Sequence, residues 1–140
     1  AGNDSNDNDA TPAYPASFDL ENIVSVAATT EADGLAGFSN FGATTVDLGA
    51  PGVNILSCTV GSTYESMNGT SMACPHVAGA AALAWGAHRY ADNKTIRRLL
   101  AWRSDNLGVP GRDDLFGYGR VDAEQSACEM TPPPAIPGIP

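Results

Sequence analysis

A continuous apolar, β-branched run, NIVSVAATT at residues 22–30, lacks the polar/apolar alternation of a half-exposed strand. Such a run reads as a strand buried on both faces, as in a parallel sheet covered by other layers. TTVDLGAPGVNILSC, at 44–58, reads as two short strands in the 45–57 region separated by Ala50-Pro51-Gly52. From there to Asn68 the chain reads as loop. At Ser71 the pattern changes: SMACPHVAGAAALAWGAHRY is rich in small residues to about Tyr90, which predicts a long helix able to lie close against a sheet. Pro75 does not refute it, because first-turn N–H groups have no intrahelical partner and a proline near a helix start is tolerated. DNKTIRRLLAWR, at 92–103, predicts a second helix, with Asp92 or Asn93 as cap and Ile96, Leu99 and Leu100 on one face. A short helix is expected from about Val121, after a glycine-rich turn. The start of the chain and EADGLAGFSNFG at 31–42 are turn-rich, and there is no internal repeat. Buried strands followed by helices indicate an α/β layer fold.

Length and charge narrow the picture. At 140 residues the chain has the size of one domain, divided here into residues 1–128 and a proline-rich tail or linker, 129–140. Sixteen acidic against seven basic residues give a net charge of −9. That excess excludes nucleic acid and anionic membranes as expected partners, since both reward Lys/Arg clusters. No apolar run approaches the length of a membrane span. No signal peptide is visible and Ala1-Gly2-Asn3 does not resemble a natural start, so a mature piece or a fragment is expected. Cys58, Cys74 and Cys128 lack zinc or redox-motif spacing. They read as small buried residues, or as one disulfide and a free thiol in an oxidising compartment.

The candidate chemistry lies in NGTSMACPHVAG, residues 68–79. Ser71 stands at the mouth of the predicted helix, where free N–H groups and the positive dipole end stabilise a developing oxyanion. A serine hydroxyl is inert at neutral pH unless a base takes its proton, and neither histidine fits that role. His76, five residues on, faces about 140° away from Ser71 on the same helix, and His88 lies about 25 Å along it. The lipase elbow needs glycine where Ala73 stands. The Asp4, Asp7, Asp9 loop lacks the glycine and glutamate of an EF-hand.

GTSMACPHVAG resembles the nucleophile motif of the subtilisin-like serine proteases, the subtilases. AGN at 1–3, YPA at 14–16, FSNFG at 38–42, DLGAPG at 47–52 and GYGRVDA at 117–123 are similar to other landmarks of that family, in the same order. The resemblance implies a three-layer α/β fold with a mostly parallel sheet, of which this chain is the C-terminal part. It implies Ser71 as nucleophile, with the Asn3 side-chain amide and the Ser71 N–H as the oxyanion hole. Gly2 and Ala13 would line the primary specificity pocket, deep and apolar because Ala13 is small, and Asp4 beside the hole would favour a basic side chain there. Asn68, Gly69 and Met72 would border the cleft. No cofactor would be required for chemistry. Asp47 would help hold a weak structural calcium ion with carbonyls of the 16–23 loop; the alternative is a carboxylate satisfied by backbone donors.

The family's catalytic Asp and His belong to the earlier half of its domain and have no counterpart in this chain. The expectation is therefore a secreted or extracytoplasmic serine endopeptidase whose base comes from a companion segment carrying the Asp and His. Its other partners would be a polypeptide substrate and a propeptide or protein inhibitor. The alternative is an inactive fragment or pseudoprotease that acts as a binding module.

Overall fold

A computed structural model of the chain describes residues 1–128 and 135; the rest of the expected tail lies outside the described residues. Strands β1 (Val26–Thr29) and β2 (Leu48–Pro51) pair in parallel, Val26 beside Leu48 and Thr29 beside Pro51. All of β1 is buried, as its uninterrupted apolar pattern requires. The strand expected over 22–30 shrinks to these four residues. Ile23 turns back onto the Leu20 carbonyl, and the Ser25 N–H is taken by the Asp47 carboxylate (2.8 Å). Along β2, Gly49 exchanges backbone hydrogen bonds with Gly119 and Val121, so the 117–121 segment extends the layer.

The chain then leaves the parallel sheet. β3 (Ile55–Thr59) and β4 (Thr63–Met67) form an antiparallel hairpin with Ile55 opposite Met67. The break after β2 falls at Gly52–Asn54, later than the expected 50–52. β4 was expected to be loop. It buries none of its residues, so no hydrophobic alternation marks it, and backbone pairing to β3 is what makes it a strand.

Helix α1 (Thr70–Ala87) begins one residue before the expected start and ends at His88, whose N–H returns to the Ala84 carbonyl. Pro75 is its sixth residue, past the first turn. The tolerance expected for a first-turn proline does not apply, and the Ser71 carbonyl lacks the N–H that would normally return to it. α2 (Asn93–Trp102) is capped by Asp92, which accepts the Thr95 N–H, and buries Ile96, Leu99 and Leu100. α3 (Ala123–Ala127) is capped by Asp122. α1 packs on β1 and β2 and touches α2 and α3. Its buried stripe is Thr70, Ala73, Val77, Ala80 and Ala84, small residues that let the helix approach the sheet.

The other faces of α1 carry Ala78, Ala82, Leu83 and Trp85, all exposed. A helix apolar all round is normally buried all round. All three cysteines are free and exposed, against the expectation of buried positions. Cys58 stands on the outer hairpin, Cys74 on an open face of α1 and Cys128 at the end of α3.

Candidate active site

The site is built where α1 begins. Gly69 precedes the helix with φ +154° and offers no side-chain cap. The first-turn N–H groups must find partners elsewhere. Thr70 N donates to Asn3 Oδ1 (2.9 Å), while Met72 N and Ala73 N return to the Gly69 carbonyl. Among the described residues the Ser71 N–H has no partner. Ser71 itself is exposed.

Asn3 reaches the same point from the chain's first segment. Its Oδ1 accepts from Thr70 N and from the Thr70 hydroxyl (3.0 Å), and that hydroxyl accepts the Gly2 N–H (3.3 Å). A backbone N–H can only donate, so the oxygen of the amide faces Thr70 and Nδ2 is turned outward. A Cβ added to Gly69 would stand 3.6 Å from Ser71 N, 3.7 Å from Asn3 Nδ2 and 3.5 Å from Met72 Sδ. The bare Gly69 Cα therefore leaves open the space flanked by the two free donors. From the sequence Thr70 reads, with Gly69, as keeping the approach to Ser71 narrow, and its hold on Asn3 is not foreseen. A threonine before the serine gives no signal of that hold until Asn3 is seen opposite it.

Of the remaining expected residues, Asn68, Met72 and Gly2 adjoin this point. Met72 and Ser71 line a cleft of about 320 Å³ with Ile55, Leu56, Met67 and His76. Asn68 accepts the Asn54 N–H (2.6 Å) and so ties the hairpin to the loop before the helix. Gly2 lies against the Asn40 amide, and Ala13 sits in a turn closed by Ser17; no hydrogen bond links the two. His76 Nδ1 pairs with the Met72 carbonyl (2.8 Å) and His88 Nε2 with the Cys128 carbonyl (3.2 Å). Neither is bonded to Ser71.

Asp47 is buried but poorly suited to calcium. Its Oδ2 accepts the Ser25 N–H, and its Oδ1 faces Arg97 at 2.8 Å and Arg112 at 3.8 Å. Arg112 also takes the carbonyls of Thr44 and Val46. Two guanidinium groups thus lie where a cation would approach, beside a cavity that includes residues 16–19. The described residues contain no His/Cys/Asp/Glu cluster able to hold a metal. Arg97→Leu should remove the 2.8 Å partner of a buried carboxylate and cost about 3 kcal/mol or more. Thermal melting of the protein checks this, and an unchanged Tm contradicts the pairing.

A family model described as the subtilase family matches residues 1–119. The chain is 43% identical over 118 residues to a thermophilic serine proteinase of Bacillus sp. (strain AK1), covering 84% of this chain and 28% of that protein. It is 46% identical over 112 residues to Subtilisin Savinase of Lederbergia lenta, covering 80% and 39%. It is 41% identical over 119 residues to the halolysin-like extracellular serine protease Nep of Natrialba magadii, covering 85% and 21%. A solved lanthipeptide protease shares the fold with a TM-score of 0.78 at 26% identity, over 91% of this chain and 48% of that one. The chain spans less than half the length of each of these proteins. Sequence motifs, the parallel α/β layer and these matches agree: the chain belongs to the subtilase family.

Proposed function

We propose that residues 1–128 are the C-terminal part of a serine endopeptidase domain, secreted or extracytoplasmic, which hydrolyses polypeptides through an acyl-enzyme on Ser71. The observation that carries this reading is the pair of free donors, Asn3 Nδ2 and Ser71 N–H, flanking an exposed serine at a helix N-terminus. Ser71 Oγ attacks the scissile carbonyl carbon, and its proton passes to a histidine of the companion segment, which an aspartate of that segment orients. The carbonyl oxygen becomes an oxyanion and accepts hydrogen bonds from the two donors, at the positive end of α1. The intermediate collapses, the imidazolium returns its proton to the leaving amine, and water repeats the sequence to release the acyl group.

The companion segment is supported by three observations. Neither histidine is bonded to Ser71, the relatives are all more than twice as long, and α1 presents apolar side chains on faces that nothing described covers. Gly2 and Ala13 would line the primary pocket, and Asn68, Gly69 and Met72 the cleft, which a propeptide or protein inhibitor would also occupy. The extracellular placement rests on the relative from Natrialba magadii, named as extracellular. No cofactor enters the chemistry. The test is to treat the native protein with a serine-directed phosphonate and map the adduct. Labelling of Ser71 supports the peptidase reading, and an unlabelled Ser71 favours a binding module without catalysis.

A further inference from the structure

Asn40 is 1% exposed and its amide serves one short stretch of chain. Its Oδ1 accepts the N–H groups of Asp4 (2.7 Å) and Asn6 (3.2 Å). Its Nδ2 donates to Asn8 Oδ1 (2.9 Å) and more weakly to the Ala1 carbonyl (3.4 Å). Its backbone N–H donates to the Gly2 carbonyl (2.9 Å). Asn8, also fully buried, completes the cage by donating to the Ala1 carbonyl (2.9 Å). The two acceptor and two donor capacities of the Asn40 side chain are all used. The backbone on both sides of Asn3 is thereby fixed, although Asn40 makes no hydrogen bond to Asn3 itself. The fit is tight: at Gly2, with φ +123°, a Cβ would come within 2.4 Å of Asn40 Nδ2.

Asn40 is in turn referenced to the sheet. The adjacent Ser39 hydroxyl accepts the Ala28 N–H of β1 (2.9 Å), and Ala36 N donates to the Ala28 carbonyl (2.9 Å). Ser71 is referenced to the same strand through the packing of α1 on β1. The two oxyanion donors thus reach a common frame by separate routes, one through Asn40 and one through α1. The separation of the donors depends on both routes.

We propose that Asn40 is a positioning residue for the oxyanion hole, holding segment 1–4 so that Asn3 Nδ2 stays beside the Ser71 N–H. This rests on the reading of Asn3 and Ser71 as oxyanion donors. Displacing a reacting group by about 1 Å can cost a hundredfold in rate, so a loosened Asn3 should lower kcat and leave KM nearly unchanged.

The test is a double-mutant cycle in the full-length protease that contains this chain, with one peptide substrate. Asn3→Ala is expected to lower kcat by about 10²–10³, a scale taken over from the corresponding donor in subtilisin. Asn40→Ala is expected to lower kcat by about tenfold to a hundredfold. In the Asn3→Ala background, Asn40→Ala should change kcat by no more than about twofold, because the group it positions is gone. An equal loss in both backgrounds, or a loss confined to KM, overturns the positioning role. An Asn3→Ala variant with full kcat overturns the oxyanion reading itself, whatever Asn40 does. If Asn40→Ala does not accumulate as folded protein, the same cycle is run with Asn8→Ser, which removes the acceptor of the Asn40 amide. Failure of that variant to fold also overturns the proposal, because the network would then serve folding alone.

Discussion

Ser71→Ala in the full protease should lower kcat by about 10⁶-fold, the scale of nucleophile removal in subtilisin itself, and leave the fold intact. Both halves of this result follow from the position of the side chain. The hydroxyl is exposed at the start of α1 and has no hydrogen-bond partner among the described residues. Its loss removes no packing and strands no polar group, so stability should hold to within the roughly 0.5 kcal/mol typical of surface changes. On the proposed mechanism the reaction, in contrast, would lose the atom that forms the acyl bond. Hydrolysis by the purified variant, alongside its melting curve, checks both parts. Wild-type turnover in a folded variant would contradict the assignment of Ser71.

Residues 1–140 expressed alone should show no peptidase activity and no sharp cooperative melt. α1 buries a single stripe and leaves Leu83 57% and Trp85 44% exposed. Monomeric proteins rarely carry open apolar patches beyond a few hundred Å². The isolated chain is therefore expected to aggregate or to bind a hydrophobic dye strongly. A monomeric 1–140 that melts cooperatively and cleaves a peptide would contradict the need for a companion segment.

What was legible in the sequence were the elements whose partners are local or whose burial is uniform. β1 announces itself as an apolar run because both its faces are covered. α2 does so because Asp92 caps it and Ile96, Leu99 and Leu100 share a face. β4 was illegible because it is exposed along its length, and its pairing with β3 leaves no trace in residue type. Cys74 misled because a small apolar side chain is equally at home on a helix face that the described residues leave open.

The candidate site divides in the same way. Ser71, Asn3 and Gly69 were read from contiguous motifs, and the geometry groups them. The lock by Thr70 and the contacts of the Asn40 amide depend on residues 32 to 68 positions apart. No local pattern carries such contacts. The side-chain partners of Asp47 were illegible for a similar reason. The motif around it shows the carboxylate but not Arg97 and Arg112, which approach from 50 and more residues away.

In the proposed mechanism Ser71 forms the covalent intermediate with a base from a companion segment. The most direct measurement is mass spectrometry of the acid-quenched acyl-enzyme, after brief exposure to a slowly deacylating ester. The full protease and the isolated 1–140 chain are treated side by side. A single acyl adduct on Ser71 is expected in the full protease and none in the isolated chain. An adduct on another residue of the full protease, or equal acylation of Ser71 in the isolated chain, would contradict it.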